Sequence, residues 1–193
     1  LDEKINLINN FLDFLKPKTL WDLGANTGVF SRIASERGVL TVSMDIDPSC
    51  VETNYLQALE KKEKNLLPLL IDLNNPTPGI GWNNKERMSF QDRGPVDTIF
   101  ALALIHHLAI SNNVPLTRIA HFFSNICQSL IIEFIPKSDL MAQKLLTSRE
   151  DIFPDYTQVL FEKEFQKFFN IIKTGKISNS ARTLYLMQSK NHA

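Results

Sequence analysis

Three aspartates, two glycines, two histidines and one glutamate carry the chemistry this sequence can do. Asp22, Asp45 and Asp72 each fall at or just past the end of an apolar run, and Gly24 and Gly28 lie in the turn after the first of these runs. Glycine lets the backbone turn tightly and approach a ligand closely. Asp45 follows Gly24 by 21 residues, a reach suited to a carboxylate accepting both hydroxyls of a ribose. A single aspartate at a strand end is more often a cap or a solvated group than a ligand. Three of them in register with successive strands point to one shared site. His106 and His107 follow a fourth apolar run, and histidine is a plausible base near neutral pH. Glu133 interrupts a fifth. An acid inside an apolar strand must be paired or near solvent, so it either faces the cleft or anchors hydrogen bonds internally.

These residues need elements to hold them. Leu1 to Leu15 has the spacing of an amphipathic helix, with Ile5, Ile8, Phe11, Leu12 and Leu15 on one side. Lys16-Pro17-Lys18 stops it. Strands are expected over Thr19 to Leu23, Leu40 to Met44, Leu66 to Leu73, Val96 to Ile105 and Leu130 to Ile135. Helices are expected between them: Gly28 to Arg37 with Val29, Ile33 and Ala34 inward, Pro48 to Glu60, and Pro115 to Ile126. Asn74 to Pro95 is rich in proline, asparagine and glycine and reads as loop, with room for a short helix near Asn84 to Phe90. Asp139 to Ser148 and Tyr156 to Asn170 read as helices. Ile171 to Ile177 and Thr183 to Met187 read as a closing pair of strands around Ser178-Asn179-Ser180.

Alternating strand and helix predicts an α/β fold of Rossmann-like, doubly wound type. The expected sheet has seven strands, is mostly parallel, and ends in a C-terminal antiparallel hairpin. With 193 residues, 44% of them hydrophobic, the chain reads as a single domain over 1–193, with 1–16 its N-terminal helix. It begins at Leu1 without methionine, so a longer protein with a further N-terminal part is expected. Basic and acidic residues balance at 21 each. No global field favours nucleic acid, although a local basic patch is compatible with that balance. The longest apolar run is too short for a membrane span, and no signal peptide is visible. Cys50 and Cys127 are far apart, in no metal-ligand spacing. A cytoplasmic protein with no membrane partner and no metal is the expectation.

The first turn reads Asp22-Leu23-Gly24-Ala25-Asn26-Thr27-Gly28. A dinucleotide fingerprint wants glycine where Asn26 stands, to admit a pyrophosphate, so a cofactor without phosphates suits the turn better. The turn resembles the first motif of class I S-adenosylmethionine-dependent methyltransferases, Asp/Glu-x-Gly-x-x-x-Gly. Asp45 is similar to that family's ribose-holding acid and Asp72 to the acid that reads the adenine amino group. Asp97 to Leu108 resembles its fourth-strand segment. Three further stretches resemble a narrower group, the rhizobial nodulation host-specificity proteins of the NoeA type: Asn75 to Trp82, His106 to Asn113, and Arg149 to Pro154. The resemblance implies S-adenosylmethionine as cofactor. It would be held by Asp22, Gly24, Ala25, Asn26 and Gly28 in the turn, Asp45 and Ile46 after the second strand, Asp72 and Leu73 after the third, and Ala101 on the fourth.

Methyl transfer needs acceptor and methyl held in line, and a base where the acceptor is a hydroxyl or protonated nitrogen. His107, His106 and Glu133 are the candidates. Alternate residues of a strand face opposite ways, so only one histidine would face the acceptor, and His107 is the favoured one. Trp82 could stack on an acceptor or plug the sheet edge. His121 and the run Phe161, Phe165, Phe168 and Phe169 have the spacing of packing residues. The acceptor itself is not legible, since fold and cofactor site are shared across many chemistries. A small or sugar-like molecule is the first expectation. An RNA or protein acceptor is the second, and a non-catalytic cofactor-binding module the third.

Overall fold

A computed structural model describes residues 1–147, 150–178 and 180–191. Parts of three sequence expectations lie outside these residues: Ser148 at the end of a helix, Arg149 in one of the similar stretches, and Asn179 in the hairpin turn.

The helix α1, Asp2–Leu15, buries Ile8, Phe11 and Leu12 at three- and one-residue steps along one stripe. It ends where Lys16 turns left-handed, at φ 47, and returns its N–H to the Leu12 carbonyl. Then β1 (Thr19–Leu23), α2 (Val29–Ser35), β2 (Leu40–Asp45), α3 (Pro48–Glu60) and β3 (Leu66–Leu70) alternate. Asp47 caps α3 by accepting from the Ser49 N–H at 2.8 Å, and Pro48 occupies the first turn. After a long loop come β4 (Val96–Ala101), α4 (Leu116–Ile126), β5 (Cys127–Phe134), α5 (Leu140–Thr147), α6 (Gln158–Phe165), β6 (Phe169–Lys176) and β7 (Thr183–Ser189).

The strands form one sheet in the order β3-β2-β1-β4-β5-β7-β6. β1 to β5 are parallel, and β7 runs antiparallel between β5 and β6. The fold is therefore α/β, Rossmann-like and doubly wound, as expected. The antiparallel strand lies inside the hairpin, however, and β6 forms the edge. Alternation sorts the two faces. Leu20, Phe100, Ile131 and Leu186 pack under α1 and α2, while Trp21, Ile99, Leu130, Ile132 and Met187 pack under α4 and α6. Phe161, Phe165 and Phe169 are buried in that second core, and the His121 ring rests on Phe168.

β3 closes the other edge. Asn65 O accepts from Thr41 N–H, and Ile71 N–H donates to Asp45 O. Odd-numbered residues therefore bond β2, and Pro68 turns to the free edge, where a missing N–H costs nothing.

Several expectations need correction. Val29 is half exposed at 50%, and α2 instead buries Ser31, Arg32, Ala34 and Ser35. The third strand stops at Leu70 rather than Leu73, because Asp72 turns the chain by accepting from the Asn74 N–H at 2.8 Å. No helix forms over Asn84 to Phe90. Asn83 and Asn84 are left-handed, at φ 55, and the loop instead makes short 3-10 turns at Trp82–Asn84 and Gln91–Arg93. The fourth strand stops at Ala101 rather than Ile105. Ala103 takes φ 52, and the chain re-enters a helical path that becomes a π-turn over His107–Ser111. The helix expected to reach Asn170 ends at Phe165, since Phe169 already belongs to β6.

Candidate active site

The turn after β1 is fixed from beneath. The Gly24 and Ala25 N–H groups both donate to the Met44 carbonyl at 2.9 Å. Gly24 is left-handed at φ 74, and a Cβ there would stand 3.1 Å from Leu104 Cδ1. Asn26 is also left-handed, at φ 51. Its N–H donates to Asp45 Oδ2 at 2.7 Å, while the Asp47 N–H donates to Asp45 Oδ1 at 2.9 Å. Both carboxylate oxygens of Asp45 are thus oriented by backbone, and each retains a lone pair for a ligand.

A cavity of about 360 Å³ opens above the carboxyl ends of the parallel strands, where ligands bind in open α/β sheets. Gly24, Asn26, Asp45, Ile46, Asp72 and Leu73 form one side; Ala103, Leu104, His107, Leu108 and Asn112 form the other. Of the expected cofactor residues, these first six come together. Asp22, Ala25, Gly28 and Ala101 do not line it.

Their positions have physical reasons. Asp22 points to the α2 face, buried, and accepts from Ser31 Oγ at 2.6 Å. Ser31 Oγ in turn accepts from the Ser43 hydroxyl at 2.9 Å, and Asn54 Nδ2 donates to Ser43 Oγ at 2.8 Å. Burial pushes the Asp22 carboxyl up to about 6, against the lowering effects of Ser31 and Lys4. Gly28 holds the start of α2 at φ 78, against Asn54. Arg32 donates to the Thr27 carbonyl at 2.8 Å and to Glu63 Oε1 at 2.9 Å, bracing the far end of the turn. Ala101 is buried within β4.

The three catalytic candidates separate. His107 is exposed on the cavity wall. Partial burial of its ring holds it below the usual histidine range, against the raising influence of Asp45. His106 stands behind it, 1% exposed, with ring centroids 4.2 Å apart and neither ring nitrogen hydrogen-bonded. Burial first, then His107 and Arg182, bring His106 down to about 3. Glu133 is fully buried and does not reach the cavity. Its Oε2 accepts from Lys4 Nζ at 2.6 Å and from the Ala103 N–H at 2.8 Å. Trp82 projects from its loop, 85% exposed, and is neither a cavity wall nor a plug.

Ala103, Leu104 and Asn112 in the wall, and Ser31, Ser43 and Asn54 below the turn, lie outside the residues that the sequence marks as site candidates. For the last three a signal existed: small polar residues recurring on the inward face of otherwise apolar elements. For Ala103 there was none, because its conformation comes from the chain's turn after β4. A second cavity, of about 420 Å³, lies beside the first, between the start of α4 and residues 152–156; its walls include Val114, Leu116, Phe153 and Leu160, with Asp155 and Glu164 also present. Among the described residues no three His, Cys, Asp or Glu side chains assemble to hold a metal, and no helix is long and apolar enough to cross a membrane.

The fold is shared with a solved methyltransferase structure. Magnesium protoporphyrin IX methyltransferase (ChlM) from Synechocystis PCC 6803, solved with bound SAH, superposes with a TM-score of 0.65 at 18% identity, covering 97% of this chain and 83% of that one. The sequence is similar to nodulation protein NoeA of Rhizobium meliloti (strain 1021), at 37% identity over 187 residues, which is 96% of this chain and 39% of NoeA. It is similar at 24% identity to the 18S rRNA (guanine-N(7))-methyltransferase bud23 of Schizosaccharomyces pombe (strain 972 / ATCC 24843), over 85% of this chain and 60% of that protein. The chain thus spans about two fifths and three fifths of these two relatives. No family model matches.

Proposed function

We propose that this chain binds S-adenosylmethionine and transfers its methyl group to an acceptor, with a small or sugar-like molecule as the first candidate. The observation that carries the reading is Asp45, its carboxylate oriented at the cavity wall by the N–H groups of Asn26 and Asp47. The cavity fits the cofactor. A carboxylate suits a ribose diol, Ile46 and Ile71 supply apolar surface for an adenine, and Asp72 can accept from its amino group. Gly24 takes a left-handed conformation, and a Cβ there would press on Leu104 across the cavity wall. The cofactor supplies an electrophilic methyl group on a sulfonium. The chain's part is to hold the acceptor in line, which can account for much of the acceleration. His107 is the group placed to accept a proton or orient the nucleophile, because its ring reaches the cavity and is held largely neutral near pH 7. Glu133 is an internal anchor in this reading, and His106 packs behind His107. An RNA acceptor is the second reading, favoured by the similarity to the 18S rRNA (guanine-N(7))-methyltransferase bud23.

Calorimetry tests the cofactor directly. Titration with S-adenosylhomocysteine should give saturable heat, and titration with NAD none. Saturable NAD binding with no response to S-adenosylhomocysteine would overturn the reading.

Asp45→Asn refines it. The amide oxygen can keep only one of the two backbone N–H bonds that Asp45 accepts, and the NH2 group then faces the other donor, so the turn keeps its shape on one side only. Losing one acceptor and the charge should weaken S-adenosylhomocysteine by about 2 kcal/mol. Unchanged affinity in the variant would place the ribose elsewhere.

A further inference from the structure

We propose that the N-terminal helix sets the shape of the cofactor cavity through a buried relay running from Lys4 to Glu133 to the backbone of Ala103. The proposal rests on reading that cavity as the cofactor site. Glu133 lies in the middle of the sheet, fully buried, and one oxygen, Oε2, takes both the Lys4 ammonium at 2.6 Å and the Ala103 N–H at 2.8 Å. Its other oxygen faces Arg182 Nη1 at 3.7 Å. That guanidinium is already forked onto Asp139, at 2.7 and 3.0 Å. Lys4 is itself buried, with its ammonium 4.4 Å from the centre of the Phe30 ring. Glu3, its neighbour, ties the same helix to the β6–β7 turn by accepting from the Ser178 N–H and hydroxyl at 2.6 and 2.7 Å.

The far end of the relay is strained. Ala103 is a cavity wall and has φ 52, a conformation that a residue with a Cβ avoids. Such backbone persists only where its surroundings over-determine it. Here the determinant is a carboxylate held in place by Lys4. Without that ammonium, Arg182 is the one cation among the described residues left beside Glu133, on the side of the oxygen that does not hold Ala103. The Ala103 N–H would lose its acceptor, and Leu104, which packs against Gly24, would shift with it. An ion pair kept for stability alone could be replaced by apolar side chains at little cost. This pair has a job in geometry: it couples a helix 129 residues away in sequence to the cofactor wall.

The test uses the whole chain, with S-adenosylhomocysteine calorimetry, thermal unfolding and the amide resonance of Ala103. Lys4→Met should bind at least tenfold more weakly, and the Ala103 amide should move upfield as its charged acceptor leaves. Lys4→Arg should stay within a few-fold of wild type. Adding Ala103→Gly to Lys4→Met should restore most of the affinity, because glycine adopts this φ without penalty. A merely structural role predicts a lower melting temperature that Ala103→Gly does not offset. If Lys4→Met does not fold, Lys4→Gln keeps a donor without charge, and a several-fold loss reversed by Ala103→Gly is expected. Wild-type affinity in the Lys4 variants, or no recovery on adding Ala103→Gly, overturns the relay. Absence of binding by the wild type overturns the cofactor reading instead; the Ala103 amide still judges the relay.

Discussion

Gly28→Ala is expected to destabilise the protein by roughly 2–5 kcal/mol. Two effects add. The residue sits at φ 78, where an L side chain costs about 1–2 kcal/mol. A Cβ would also lie inside the contact distance of the Asn54 amide, and forcing extra volume into a packed site costs about 1–3 kcal/mol. Asn54 has little room to yield, being buried and bonded through Nδ2 to Ser43. Gly38 supplies the control. It has φ 83 and open space where its Cβ would go, so Gly38→Ala carries the conformational cost alone. Denaturant melts of both variants should therefore differ by the steric part. Equal losses would show that Asn54 gives way and that the turn is looser than its geometry implies.

The second large effect is a pH dependence. His106 is held at about 3 in the folded protein, against 6.5 for the free side chain, chiefly by burial. Between those values the unfolded chain binds the extra proton and the folded one does not, so stability falls as pH drops from 6.5 toward 3. From pH 6.5 to 4 that amounts to roughly 3 kcal/mol, at about 1.4 kcal/mol per unit. Asp22 works in the opposite sense. Its folded value near 6 lies above 3.8, so the folded state binds more protons there and stability falls as pH rises from about 4 to 6. The wild-type curve mixes both slopes. The difference between His106→Phe and wild type isolates the histidine: the variant should gain on wild type steadily as pH falls below 6.5. A difference curve flat from pH 7 to 4 would mean that His106 titrates normally and is solvated in solution.

Much of the fold was legible because apolar runs and their breakers follow physical periods. β1, α3 and the mostly parallel character of the sheet need nothing beyond Thr19 to Leu23, Pro48 after Asp47, and regular alternation. The site was legible where it depends on strand ends, as with Asp45 and Asp72. It was not where backbone leaves the regular path. His106 and His107 were read on a strand, yet the strand ends at Ala101 and a left-handed Ala103 redirects the chain. Nothing in an alanine announces φ 52; the carboxylate that holds it comes from Glu133, 30 residues on. Glu133 was correctly seen as needing partners, but its ammonium partner lies in α1, and only the fold brings them together. Val29 misled for a different reason: at the first position of α2 it has too little helix before it to be covered, so an apolar residue on the expected face stays in solvent.

The proline at the free edge of the sheet bears on how this protein behaves when crowded with copies of itself. β3 and the neighbouring helix leave Tyr55, Leu56, Leu59, Leu67, Leu69 and Leu70 exposed, an apolar margin that would otherwise be a template for strand-by-strand growth of aggregates. Fibril-like stacking needs an unbroken row of outward donors along the templating strand. Pro68 removes the central one. The margin can still be covered by side chains, but it cannot be extended as a sheet across its middle, and the polymerisation hazard of a leucine-rich edge is blunted by one missing hydrogen.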